Sequence, residues 1–178
     1  MFKVLLVDDE PFILQGLKVL IDWEDYGFEV YTAQDGKTAY EMIEEQGFDL
    51  VIADIKMPVM DGIELLKKIR EAGNDVSFVI LSGFAEFSYA QEALKHKCSA
   101  YILKPVEKES LISVVEKVIA SKEDKEIETN RNKRFEKAYF EQSLKRVLRG
   151  KHSDEDIDYL STKISASDDM CYVGIELA

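Results

Sequence analysis

Five short runs of almost unbroken apolar residues recur through the first 120 positions, and each is followed by a segment with helical spacing. The runs are KVLLV at 3–7, FEVYTA at 28–33, DLVIA at 49–53, VSFVIL at 76–81 and AYIL at 100–103. Between them, apolar residues three and four apart mark helices over 11–21, 35–46, 62–71, 87–97 and 107–121. Pro11 suits the first turn of the first helix, where its missing N–H is not needed, and Gly47 reads as the stop of the second. Strands that are apolar on nearly every residue are buried on both faces, so the expected sheet is parallel with helices on both sides. Right-handed crossovers leave few topologies, and the flavodoxin-like α/β order 2-1-3-4-5 suits five such units.

From 122 the texture changes. The segment to Gly150 carries no strand signal, and Phe135, Ala138, Tyr139, Phe140, Leu144, Val147 and Leu148 form a stripe at helical spacing. Before Phe135 only Ile127 interrupts the polar residues, so this part reads as a solvated linker helix, frayed around 124–132. SDEDIDYLSTKI at 153–164 opens a further helix with Ser153 as N-cap and acids in the first turn. CYVGIEL at 171–177 reads as a strand. The expected organisation is an α/β domain over 1–121, a helical linker over 122–150, and the incomplete beginning of a second domain over 151–178.

Charge narrows the function. Residues 1–120 hold 12 Lys and Arg against 22 Asp and Glu, residues 121–151 hold 10 against 6, and residues 152–178 hold 1 against 7. An acidic first domain repels nucleic acid rather than attracting it. No run is long enough to span a bilayer and no secretory leader is visible. Cys98 and Cys171 suit neither a disulfide framework nor a zinc site. A cytoplasmic protein with reduced cysteines, away from membranes, is the expectation.

In a 2-1-3-4-5 sheet, ligands bind outside the carboxyl ends of the strands. Asp8 and Asp9 follow the first strand and Asp54 follows the third, so the neighbouring strands bring three acids to one edge. A carboxylate there needs a cation, and hard oxygen donors with room for water suit Mg2+. Ser82 after the fourth strand and Lys104 before Pro105 after the fifth point to the same edge. A hydroxyl, an ammonium and a divalent cation around one carboxylate make a cradle for a phosphoryl group, with Asp54 as nucleophile. Taken singly, each feature has a plainer reading. DDE at 8–10 decorates a helix start, MPVMDG at 57–62 is a turn whose Asp61 caps the next helix, and Ser82-Gly83 is a loop.

Taken together, LLVDDE, DLVIADIKMPVMDG, VILSGF and AYILKPV make residues 1–120 resemble the receiver domain of two-component response regulators. The resemblance implies that Asp54 accepts a phosphoryl group from a sensor histidine kinase and that Asp9 binds Mg2+ directly, with Asp8 helping. It implies that the backbone carbonyl of Lys56 completes the protein ligands, that Ser82 and Tyr101 are the switch positions, and that Lys104 pairs with the phosphate. DWEDYGFEV at 22–30, LSGFAEFSYAQEALK at 81–95 and YILKPVEKESL at 101–111 are similar to the YesN-type subgroup. In that subgroup an AraC-type DNA-binding output follows a middle region. DNA binding would then belong to a C-terminal domain absent from these 178 residues, and phosphorylation would favour a homodimer. Such a domain is a regulator rather than an enzyme, although it assists its own phosphoryl transfer. One departure stands out: Lys97 occupies a helix end where the family places glycine, so it must adopt φ > 0 or end the helix differently. The competing reading is an interaction module with the same fold that works without phosphorylation. A phosphatase would want a second acid where Lys56 stands, and a flavin protein would want a hydroxyl- and glycine-rich loop where VDDEPF stands.

Overall fold

The computed structural model describes residues 1–83 and 87–165, apart from the side chains at 87, 125, 126 and 165. The expected strand at 171–177 lies outside the described residues. Five strands alternate with helices in chain order: β1 Phe2–Val7, α1 Pro11–Leu20, β2 Phe28–Ala33, α2 Gly36–Glu45, β3 Leu50–Asp54, α3 Gly62–Glu71, β4 Ser77–Ser82, α4 Phe87–Lys95, β5 Ala100–Leu103, α5 Lys108–Leu148 and α6 Asp154–Ser165. All strand pairs are parallel and the order is β2-β1-β3-β4-β5, as the pattern requires.

The pleat divides the core by residue parity. On one face Leu5, Val7, Val51, Ala53, Phe78 and Ile80 pack with Ala39 and Ile43 of α2, Leu66 and Ile69 of α3, and Ala93 of α4. On the other, Val4, Leu6, Leu50, Ile52, Val79 and Leu81 pack with Leu14 and Leu17 of α1 and Leu111, Val115 and Val118 of α5. Every residue of β3 is buried. Each aliphatic side chain so removed from water stabilises the fold by roughly 1.5–3 kcal/mol. The central strand can therefore carry a carboxylate at its end without losing its place in the sheet.

Three details differ from the sequence reading. Helix α2 ends on Gln46 in extended geometry, whose N–H donates to the carbonyl of Met42, so Gly47 is not its stop. Asp54 is the last residue of β3 rather than the first beyond it. Helix α5 is unbroken through 124–132, where fraying was expected.

The chain divides into a unit over Met1–Lys122 and a unit over Glu123–Ala178. In the second unit, the later part of α5 packs on α6. The ring of Tyr139 meets that of Tyr159 edge-on at 4.8 Å, and Leu160 is buried. Ser153 caps α6 through a reciprocal box with Asp156: the Asp156 N–H donates to Ser153 Oγ at 3.3 Å and the Ser153 N–H to Asp156 Oδ2 at 3.1 Å. Not all of the sequence stripe is covered, since Phe135 and Leu148 are exposed.

Candidate functional site

The strand order reverses between β1 and β3, which opens a crevice at their carboxyl ends. A cavity of about 290 Å³ lies there, lined by Asp9, Glu10, Asp54, Ile55, Lys56, Ser82, Gly83, Tyr89 and Lys104. β1 delivers Asp8, which is fully buried, β3 delivers Asp54, 8% exposed, and β4 delivers Ser82, 2% exposed. Lys104 follows β5 and precedes Pro105 through a cis peptide bond.

Lys104 organises the acids. Its Nζ lies 2.6 Å from Asp54 Oδ1 and 2.8 Å from Asp8 Oδ2. The remaining oxygens take backbone donors: the Glu10 N–H donates to Asp8 Oδ1 at 2.9 Å and the Lys56 N–H to Asp54 Oδ2 at 2.9 Å. Burial pulls the Lys104 ammonium down, the largest single influence. The hydrogen bonds and charges of Asp54 and Asp8 outweigh it, so its pKa stands above the usual lysine value. Two buried acids sharing one ammonium leave a net negative charge facing the cavity, and this is a setting for a further cation.

The loop after Asp54 is held tightly. Any side chain at Gly62 would place its Cβ 2.2 Å from the Asp54 carbonyl oxygen, so only glycine lets α3 start this close to β3. Asp61 caps α3 through a box with Glu64, as the turn reading anticipated. Just before these anchors, the Met60 N–H donates to the Pro58 carbonyl at 2.8 Å across Val59, whose φ is +70°. That is a γ-turn of the strained hand, on a β-branched and largely exposed residue.

The sequence-derived residues fall into two groups. Asp8, Asp54 and Lys104 are in direct contact, and Asp9, Lys56 and Ser82 line the same cavity. Asp9 and Lys56 are exposed. Among the described residues no three Asp, Glu, His or Cys groups converge closely enough to hold a metal ion as they stand, since the Lys104 ammonium lies between Asp8 and Asp54. Tyr101 lies outside the lining of the cavity. It pairs with Ile80 of β4 and packs, half-buried, on the core face shared by α2, α3 and α4. Tyr89, which lines the cavity from α4, was not legible as a site residue. In FSYAQEALK it is one more apolar position of an amphipathic helix.

The sheet order agrees with the comparisons. The family model of the response regulator receiver domain matches residues 4–116, and the chain belongs to that family. It is 46% identical over 121 residues to the transcriptional regulatory protein YesN of Bacillus subtilis, an alignment covering 67% of this chain and 33% of that protein. It is 39% identical over 120 residues to the transcriptional regulatory protein HptR of Staphylococcus aureus, covering 67% and 47%. Among solved structures, the REC domain of AraT, a response regulator from Geobacillus stearothermophilus, superposes with a TM-score of 0.64. Its sequence identity is 38%, over 70% of this chain and 98% of that one. The chain thus spans a third of the length of YesN and under half that of HptR. Its first unit holds the receiver domain of a two-component response regulator, a regulatory module. Among the described residues no helix is long and apolar enough to cross a membrane.

Proposed function

We propose that Asp54 accepts a phosphoryl group from a phosphohistidine of a sensor histidine kinase, and that the resulting charge switches the chain to a second packing. The observation that carries this reading is the Lys104 ammonium held between Asp54 and Asp8, within a cavity shared with Ser82 and Asp9. In the transfer, an Asp54 carboxylate oxygen bonds to phosphorus as the phosphorus–nitrogen bond of the phosphoimidazole breaks, and the electron pair returns to the imidazole. Lys104 then follows the negative charge from the carboxylate to the phosphoryl oxygens, and the Ser82 hydroxyl donates to one of them. Asp8 stays paired to Lys104 and holds it in place.

The donor set fits Mg2+ in its chemistry: carboxylates of Asp8, Asp9 and Asp54 and the carbonyl of Lys56 are hard oxygens, beside a cavity with room for water. When bound, the ion supplies positive charge toward the oxygens of the transferring group. Movement of Ser82 toward the phosphoryl group lets Tyr101 turn inward, and the face of α4, β5 and the start of α5 changes shape as a population shift. In the longer protein that the relatives suggest, this change reaches an output domain. The transcriptional regulatory names of YesN and HptR support DNA-binding output, of AraC type by the subgroup resemblance, and a homodimer is the expected active form.

Incubation with Mg2+ and acetyl phosphate should raise the intact mass by one phosphoryl group, and Asp54→Asn should abolish the gain. Undiminished labelling of Asp54→Asn would place the acceptor elsewhere. No labelling of the native chain would favour an interaction module that works without phosphate.

A further inference from the structure

Helices α3 and α4 end in the same way and side by side. At the end of α3, the Gly73 N–H donates to the Arg70 carbonyl at 3.0 Å and the Asn74 N–H to that of Ile69 at 3.1 Å. At the end of α4, the Lys97 N–H donates to the Leu94 carbonyl at 3.0 Å and the Cys98 N–H to that of Ala93 at 3.0 Å. Both are Schellman caps, which need a left-handed residue. Gly73, at φ +76°, fills that place at α3, but Lys97, at φ +57°, must fill it at α4, where its Cβ makes the conformation costly.

One guanidinium joins the two caps. Arg70 Nη1 donates to the Asn74 carbonyl at 2.7 Å. Its Nη2 donates to the carbonyls of Val76 at 2.9 Å and of Lys97 at 3.2 Å. Carbonyls of the turns that follow two helix C-termini therefore meet on one cation. Burial pulls the Arg70 guanidinium below its usual pKa, and its Nε is buried with no hydrogen-bond partner among the described residues. The fork is thus committed to bridging two loops.

We propose that Arg70 is a positioning residue of the switch: it caps α3 and α4 jointly and, through the Lys97 carbonyl, holds the α4–β5 corner in its resting place. That corner leads through Ser99 into β5 and to Tyr101. Ser99 is itself tied to β4, with its N–H donating to the Phe78 carbonyl at 2.7 Å and its Oγ accepting from the Phe78 N–H at 3.2 Å. The switch part of the proposal rests on the phosphoacceptor reading above, whereas the joint cap does not. The bond to Lys97 is the longest of the three and the one that links separate helices. Its loss should free α4 while leaving the α3–β4 loop partly held.

The test uses the full chain and two variants. Arg70→Lys keeps a charge but lacks the planar fork whose two nitrogens serve the three carbonyls, and Arg70→Gln removes the charge. Hydrogen exchange at the Lys97 and Cys98 amides should speed up by about tenfold or more in both, with smaller changes at Gly73 and Asn74 and none in β1 or β3. Lys97→Gly in the Arg70→Lys chain should restore much of the protection, because glycine takes the left-handed place without help. Beryllofluoride with Mg2+, read through the Tyr101 ring resonances, should bind the Arg70 variants about threefold more tightly, because the resting conformer has lost a restraint. Unchanged protection at Lys97 and Cys98 would overturn the joint cap. Lost protection with unchanged beryllofluoride affinity would reduce Arg70 to a structural cap and overturn its place in the switch. A native chain whose Tyr101 ignores beryllofluoride would sink the phosphoacceptor reading and the switch role with it, while the exchange result alone still decided the cap.

Discussion

Two buried carboxylate clusters, one in each unit, meet the same physical problem with opposite solutions. In the second unit, Asp156 is 2% exposed and saturated. Its Oδ1 accepts from Ser143 Oγ and Arg146 Nη2, and its Oδ2 from Arg146 Nε, Ser153 N–H and Ser153 Oγ. In the first unit, Asp54 takes one backbone N–H and a lysine that it shares with Asp8. The Asp156 cluster has spent its acceptor capacity on its own chain, so it can only lock α5 to α6. The Asp54 cluster keeps acceptor capacity and a cavity beside it, and that unfilled capacity is what a ligand can use. Burial and pairing are therefore common to both clusters; what separates them is incomplete satisfaction beside open space.

The comparison breaks most readily at Lys104. Lys104→Met leaves Asp8 and Asp54 buried without a cation, and the cost without Mg2+ should be about 3 kcal/mol in urea unfolding. Asp54→Asn in the same chain should recover part of it. A cost under about 1 kcal/mol would mean that solvent in the cavity already screens the two acids, and the contrast with Asp156 would lose its force.

Acid should act on the Asp156 cluster, and base on the Lys104 ammonium. The Arg146 hydrogen bond, followed by those of the Ser153 backbone and of Ser143 and Ser153, holds the Asp156 carboxyl well below the usual carboxylate range. A depressed native pKa contributes stability above the unfolded value, about 3.9, that is lost progressively as pH falls below it. Protection of the Leu160 amide, corrected for intrinsic exchange, should fall below pH about 4 and stay flat in Asp156→Asn. The raised pKa of Lys104 works the other way. Its contribution is complete below about pH 10.4 and is lost only as pH climbs through the native value. Loss of the Lys104 side-chain proton at or below about pH 10.4, followed by NMR, would overturn this assignment.

The smallest effect concerns the turn between β3 and α3. Val59→Gly should stabilise the fold by about 1 kcal/mol, because glycine accepts a positive φ that valine resists. Thermal unfolding measures it, and a loss of stability would show that the Val59 side chain makes a contact worth more than the strain.

The order of elements was legible because it rests on periodicity: five apolar runs, each followed by a helical pattern, admit few sheets. The meeting of Asp8, Asp54, Ser82 and Lys104 at one edge followed from that topology, since each sits at the carboxyl end of its strand. The family resemblance left Lys97 either a positive φ or a different helix end, and the chain takes the positive φ. Which carboxylate contacts which cation was not legible. Asp8 and Asp9 are adjacent in sequence, yet one is fully buried on Lys104 and the other is exposed, because successive positions leaving a strand point in opposite directions. The Asp156 cluster was half visible, as a helix start at Ser153, but its partners Ser143 and Arg146 lie on another helix and carry no local signal. The same holds for Arg70, which in sequence is one more charge at the end of an amphipathic helix. Local spacing in this chain determined which elements form and which ends of the strands collect polar groups. Side-chain direction and long-range approach, set only when the layers pack, decided which of those groups are saturated and which remain open for chemistry.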